Sequence, residues 1–452
     1  MSALEQVVPD GYKQTEVGVI PDDWSVKKLK EISPSQSVGL VINPSSYYAV
    51  DGTIPMLVGS HVRENRINWK NANKISPESN NKLPASRLNE GDLVTVRVGE
   101  PGVTAVIPPE LDKANCASMM IVRKGDKFDS RWLCFLMNSK IGKERIEGVQ
   151  YGTAQKQFNI VDAIDFLFPF PSKPEQTTIA NALSDVDALL TELEKLIAKK
   201  QAIKTATMQQ LLTGKTRLPQ FATYTEGEKQ GQLKGTKPSE LGEIPEDWET
   251  RTLKEMATSN GLVRGPFGGA LKKEHFSKSG YKVYEQRNAI YANTTMGNYF
   301  INQKKFEELK RFAVNSGDFI VSCSGTIGKI FKVPDDCPEG VINQALLKIT
   351  LNETIDPDYF GHYFKWDTFQ EKIIDGTQGG AMKNLVGMSE FKESLMPVPI
   401  CKREQTAIAT ILSDMDNEIQ TLGQRLAKTR QIKQGMMQEL LTGRTRLPYD
   451  KS

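Results

Sequence analysis

A chain of 452 residues has room for two to four domains at roughly 100–200 residues each, and 38% hydrophobic with 25% charged residues is the composition of a folded chain. A balance of 58 Lys+Arg against 55 Asp+Glu leaves a net charge of +3, which permits a polyanionic partner without demanding one, so any nucleic-acid contact must come from local clustering. Five scattered cysteines without a CxxC pair argue against a disulfide framework or a zinc ribbon, and with no signal-peptide pattern and no apolar run of about 18 residues the chain is expected in the cytoplasm.

In chain order, Gly18-Val-Ile-Pro-Asp-Asp-Trp24 leads through Leu29-Lys-Glu31 into a variable block. Within it, Gly91-Asp opens the extended run to Arg97, Gly99 and Gly102 mark a tight turn, and Val103–Ile107 forms a second extended run. Alternation, β-branched residues and glycine punctuation predict a hairpin. Pro169 and Pro171 are expected to stop β structure and launch a helix over Glu175–Leu212, with Gly214 as its C-cap. Residues 220–247 read as a linker. The same order then returns: Gly242-Glu-Ile-Pro-Glu-Asp-Trp248, Leu253-Lys-Glu255, a second block with Gly317-Asp, Gly325 and Gly328, then Pro397, Pro399 and a helix ending at Gly443. Glu175-Gln-Thr recurs as Glu404-Gln-Thr, and Leu211-Leu-Thr-Gly-Lys-Thr-Arg-Leu-Pro219 as Leu440-Leu-Thr-Gly-Arg-Thr-Arg-Leu-Pro448. So long a period describes a duplication rather than a solenoid.

Both helices carry an apolar stripe in steps of four and three: Ile179, Leu183, Val186, Leu190, Leu193, Ile197 in the first and Ile408, Leu412, Met415, Ile419, Leu422, Leu426 in the second. Such a stripe suits a partner helix, and the shared register favours packing each helix antiparallel against the other. A slip near 199–202 and 428–431 reads as a stutter. Trp24 and Trp248 read as structural staples and Trp69 as core; Lys195, Lys199, Lys200 and Lys204 read as a solvated helix face. The fold class is therefore α+β, with two pseudo-symmetric mixed domains joined by two long antiparallel helices.

No catalytic signature stands out. Ser324-Gly-Thr-Ile-Gly-Lys329 lacks the first glycine of a phosphate loop, since that position is Cys323. Asn43-Pro-Ser-Ser46 lacks the second proline and the aromatic of an adenine-methyltransferase motif, and His61, His275 and His362 are isolated in sequence.

The order of parts resembles the specificity subunit of type I restriction-modification enzymes. The resemblance rests on Pro171-Ser-Lys-Pro-Glu-Gln176, Pro399-Ile-Cys-Lys-Arg-Glu-Gln405, Leu212-Thr-Gly-Lys215, Leu441-Thr-Gly-Arg444 and the two Ile-Pro-x-x-Trp segments, with Val19 where the family pattern has Glu. It implies target-recognition domains at 1–170 and 248–398, and helical spacers at 171–219 and 399–452. It also implies a double-stranded DNA site read in two halves, two methyltransferase (modification) subunits docked on the spacer, and restriction (motor-nuclease) subunits that can join them. S-adenosylmethionine, ATP and Mg would then belong to the partners, with no cofactor on this chain. Docking falls by this resemblance near the repeated helix endings: Leu212, Lys215 and Arg217, and Leu441, Arg444 and Arg446.

Forked and amide side chains suit base edges, and cations suit phosphates. The first block concentrates such groups at Ser60, His61, Arg63 and Arg66, at Arg97, and at Gln155, Lys156, Gln157 and Asn159. The second offers Arg264, Lys272 and Lys273, then Gln286, Arg287 and Asn288, then Gln378, Lys383 and Asn384. If the helices act as a ruler, four residues inserted in both would add roughly 6 Å, about two base-pair steps, to the distance between half-sites. Rival readings are a self-contained methyltransferase or nuclease, a protein-only coiled-coil adaptor, and the recognition subunit of a related methylation-based defence complex.

Overall fold

The structure is a computed structural model that describes residues 8–153, 155–267, 269–375 and 384–449. The chain divides into two compact units, residues 1–195 with 423–452, and residues 196–422.

Each unit is built on a four-stranded antiparallel sheet. In the first unit the strands are β1 (Gln36–Val38), β2 (Leu93–Val96), β3 (Thr104–Val106) and β4 (Met119–Val122), in the order β3-β2-β4-β1. In the second they are β5 (Ala257–Arg264), β6 (Phe319–Ser322), β7 (Ile330–Lys332) and β8 (Leu346–Leu351), and the order β7-β6-β8-β5 repeats the first. The predicted hairpins are β2–β3 and β6–β7. A parallel pairing recurs as well, Met56 opposite Asn115 in one unit and Lys282 opposite Gly340 in the other. Both units are mixed α+β.

The first proline of each pair does not stop its strand, while Pro171 and Pro399 stand at the strand ends as expected. Pro169 lies within Leu167–Phe170, and Pro397 and Pro399 lie within Leu395–Pro399. Each of these strands pairs with only one neighbour, so a residue without an N–H is tolerated. The helices α1 (Lys173–Leu211) and α2 (Lys402–Leu440) start just after, each 39 residues long and roughly 58 Å at 1.5 Å per residue. Gly214 at φ +71° and Gly443 at φ +72° end them as predicted.

The core of each unit is closed by the start of one helix and the ending after the other. In the first unit Ile179 and Leu183 of α1 pack with Trp24, Trp132, Phe168, Leu440 and Leu441. In the second, Ile408 and Leu412 of α2 pack with Trp248, Tyr359, Phe360, Met208 and Leu212. Antiparallel pairing shows in the ion pairs. Asp187 meets Lys433 and Glu194 meets Arg430 in one unit, while Lys200 meets Glu418 at 2.7 Å and Lys204 meets Asp416 at 2.5 Å in the other. Lys200 and Lys204 therefore do not belong to a freely solvated face. The cross-helix carboxylates at the spacing of facing turns hold them, with the Lys204 side chain only 19% exposed.

The repeated motifs meet in a clasp. Arg446 donates from Nε and Nη2 to Glu175 (both 2.8 Å) and from Nη1 and Nη2 to Asp23 (both 2.9 Å). Trp24 Nε1 donates to the same Glu175 at 3.0 Å. The second unit repeats the pattern: Arg217 to Glu404 at 2.7 and 2.8 Å and to Asp247 at 2.8 and 3.2 Å, with Trp248 Nε1 on Glu404 at 3.3 Å. A Cβ on Gly214 would stand 2.4 Å from Pro245, and one on Gly443 2.5 Å from Pro21, so the glycines let the helix ending close on the Ile-Pro-x-Asp-Trp segment. The neighbouring Gln176 and Gln405 accept from the amides of Asp129 and Asp356, which cap the helices Ser130–Asn138 and Pro357–Lys365.

Candidate nucleic-acid interface

Three predicted segments of the first unit converge at one end of its sheet. β2 runs out through Arg97 to the Gly99 turn, the Gly99 amide donates to the Lys156 carbonyl at 3.2 Å, and Arg97 Nε donates to the Phe158 carbonyl at 3.2 Å. Gln157 bridges to Val98, and a Cβ on Gly59 would touch Val96 at 3.1 Å. Ser60, Gln155, Lys156 and Asn159 are exposed there, with Gln157 half-buried. His61 Nδ1 accepts from the Val58 amide at 3.0 Å, leaving Nε2 to carry the hydrogen. Burial first, and then the Arg63 cation, hold this imidazole below its usual value, so it presents a neutral N–H donor. Arg63 donates to the carbonyls of Ser60 and Val62 within its own loop.

Arg66 is turned elsewhere. It pairs with Glu194 of α1 at 3.2 Å, and the same carboxylate holds Arg430 at 2.8 Å. The bridged carboxylate directs this guanidinium at the helix rather than at the loops around Gly99.

The second unit assembles the equivalent end. Gln286 follows the strand Tyr281–Tyr284 and accepts from the Ser324 amide at 3.3 Å, at the β6–β7 turn. The Arg264 cation at the end of β5 acts on the Cys323 thiol next to that turn; burial, the larger influence, pushes the thiol up to about 11. Lys272 and Lys273 are exposed, and Arg287 is exposed beside Glu285 at 3.3 Å.

Asn288 does not present itself for base reading. It is fully buried, accepts from the Glu285 amide at 2.7 Å, and donates to the carbonyls of Asn293 and Met296 at 2.8 and 2.9 Å. Its amide is consumed in capping the short helix Gln286–Ile290 and bracing the segment that follows it. Gln378 and Lys383 lie outside the described residues, and Asn384 is described only through its backbone, paired with Asp375. Val98 and the exposed Ser324 and Thr326 stand at the same strand ends; Ser324–Lys329 is set aside above as a phosphate loop, and the paired Gly-x-x-Gly turns are the signal that marks both places. Among the described residues no group of three or more His, Cys, Asp or Glu could hold a metal ion, and no helix is long and apolar enough to cross a membrane.

The family model of the type I restriction modification DNA specificity domain matches this chain twice, over residues 21–205 and 245–430. The chain belongs to that family. Its relatives include a Methanocaldococcus jannaschii protein named as the MjaX type I restriction enzyme specificity subunit, 22% identical over 97% of each chain. The MjaVIII specificity subunit of the same organism is 27% identical over 46% of this chain and 49% of its own. Two solved structures share the fold. One is the type I restriction-modification S subunit from M. genitalium, with TM-score 0.53 and 16% identity, covering 92% of this chain and 96% of that one. The other comes from work on complex assembly and conformational transition of the type I system, with TM-score 0.54 and 14% identity, covering 94% and 99%.

For a specificity subunit, the residues assigned by resemblance to partner docking divide sharply. Lys215 and Arg444 are exposed. Leu212 and Leu441 are fully buried in the cores of their own units and offer no surface to a partner. Arg217 and Arg446 are committed to the clasp, each holding two carboxylates.

Proposed function

We propose that this type I specificity chain is a non-catalytic DNA ruler, with recognition domains at 1–170 and 248–398 and helical spacers at 171–219 and 399–452. Each recognition domain reads one half of a split duplex site. The observation that carries this reading is the duplicated sheet order with polar and basic loops gathered at the same strand ends in both units. Ser60, His61, Arg63, Arg97, Gln155, Lys156, Gln157 and Asn159 are the contacts of the first half. Arg264, Lys272, Lys273, Gln286 and Arg287 are those of the second. Forked donors select base edges and lysines anchor phosphates. Two methyltransferase subunits dock on the helices, where exposed Lys215 and Arg444 stand at equivalent places, and a motor-nuclease can join them. Methylation and cleavage, with their S-adenosylmethionine, ATP and Mg, rest with those partners.

The test is single-molecule methylome sequencing of cells expressing this chain with its methyltransferase, against cells lacking this chain. Loss of one bipartite methylated motif supports the reading. An unchanged methylome overturns it in favour of a protein-only adaptor.

A further inference from the structure

The two sheets can be superposed residue by residue through their hydrogen bonds. Gly39 follows β1, donates to the Met119 carbonyl at 2.8 Å, and a Cβ on it would lie 2.7 Å from the Cys116 carbonyl oxygen. Gly265 follows β5, donates to the Leu346 carbonyl at 2.8 Å, and its Cβ would lie 1.8 Å from the Asn343 carbonyl oxygen. The two glycines hold one structural position, each pinned where only a missing side chain allows the strand to pass. Two residues on, each unit presents an apolar side chain to water: Val41 at 74% exposure and Phe267 at 92%. The surrounding sequences, Gly39-Leu-Val-Ile and Gly265-Pro-Phe-Gly, share nothing else.

Strand register brings the strand ends that lead into Val41 and Phe267 to the sheet end where the candidate reading loops gather. Val38 pairs with Met120 and Met119 with Val96, beside the Gly99 turn; Arg264 pairs with Leu347 and Leu346 with Ser322, beside the Ser324 turn. Phe267 is held on both sides. Gly265 and Pro266 are buried before it, the Ala270 amide donates to its carbonyl at 2.9 Å, and Leu271 is buried after it. Arg264, Lys272 and Lys273 flank it with positive charge. An aromatic ring kept in water on an anchored, cation-flanked turn is prepared for a flat, negatively charged partner.

We propose that Phe267 is a wedge that stacks at a base step of the duplex half-site read by the second unit, with Val41 as its counterpart in the first. This rests on the DNA-recognition reading above. Such a contact discriminates between sites through the ease of opening a step, without a base-edge hydrogen bond.

The assembled complex of this chain with its methyltransferase is titrated onto duplexes containing its methylated motif, with 2-aminopurine placed in turn at each step of each half-site. The parent complex should raise fluorescence at one step of one half-site. Phe267→Ala should abolish that rise and weaken binding about ten- to one-hundred-fold, while Phe267→Trp retains both. Unchanged affinity and fluorescence in Phe267→Ala overturns the wedge while leaving recognition intact, as does weakened binding when the parent opens no step. Failure of the parent complex to prefer its motif over an unrelated duplex overturns the recognition reading itself.

Discussion

Removing Arg217 should unfasten the second unit. Its side chain is 11% exposed and faces Glu404 at 2% and Asp247 at 29%. With the guanidinium gone, the Glu404 carboxylate keeps only the Trp248 indole, at 3.3 Å, in a site whose burial already pushes its carboxyl above the usual range. Breaking one side of a buried pair costs about 3–5 kcal/mol because the other charge stays behind, so Arg217→Ala should lower stability by that order. Arg446→Ala should cost less, about 1–3 kcal/mol, since its side chain is 32% exposed and Asp23 is 53% exposed. Joint replacement of Arg217 and Glu404 by methionine should recover much of the loss, because no buried charge is then orphaned. Two units need not unfold together, so the assay is hydrogen exchange along a urea series, read over 208–218 and 402–412 for the second unit and over 175–185 and 437–447 for the first. A loss below about 1 kcal/mol for Arg217→Ala, accompanied by collapse of methyltransferase binding, would overturn the clasp and return this arginine to docking.

Other perturbations probe other parts of the chain. Burial first, then the Lys204 cation, hold the His362 imidazole down at about 4, against the opposing pull of Asp416, with Lys365 and Asp358 nearby. The unfolded chain therefore binds the extra proton more readily, and the second unit should lose about 3 kcal/mol as pH falls from roughly 6.5 to 4; His362→Phe should flatten that slope in thermal melts. Gly435 lies on an open face of α2 and Gly435→Ala should stabilise by about 0.5–1 kcal/mol, whereas Gly443→Ala, at φ +72° and against Pro21, should destabilise by about 1–3 kcal/mol; urea midpoints give both signs. Asn288→Ala should cost on the order of 2–3 kcal/mol and reduce binding to all duplexes alike, and a selective loss at one base would contradict its burial. Four residues inserted in both α1 and α2 should lengthen the spacer of the methylated motif by about two base pairs, and an unchanged motif would sink the ruler.

Much of this architecture was legible because it is local. Gly91-Asp and Gly317-Asp, followed by paired glycines, specify hairpins whose chemistry lies within a dozen or so positions. Gly214 and Gly443 announce helix ends for the same reason. The clasp was hidden because its members are far apart. Arg446 meets Asp23 across 423 positions and Glu175 across 271, and nothing in Thr-Arg-Leu-Pro says which carboxylate it seeks. Lys204 reads as a surface lysine until the antiparallel partner brings Asp416 to it. Asn288, an amide in a polar loop after a strand, has the composition of a reader and the environment of a brace, a difference made by the carbonyls of Asn293 and Met296. The likeness of Val41 to Phe267 is invisible to sequence comparison, since only the hydrogen bonds of Gly39 and Gly265 align them.

The repeated helix ending is thus explained first by closure within each unit. Thr-Arg-Leu-Pro after α1 closes on Glu404 near the start of α2 in the second unit, and its twin after α2 closes on Glu175 near the start of α1 in the first. The contacts that the two clasps share are made by residues written in both repeats: arginine, glutamate, aspartate, tryptophan, and the glycine that lets them approach, while Lys234 on Asp247 and Tyr449 beside Arg446 are additions of one copy each. Among the described residues, none of those around Gly99, Gly152, Gln286 or Phe267 takes part. Closure and the proposed reading therefore draw on separate residues, so these loops can change sequence without leaving a buried charge unpaired. Conversely, the large cost of an orphaned Glu404 falls on any change to the clasp, whatever sequence the loops read. The motifs that make the chain recognisable are in this sense the ones least free to touch DNA.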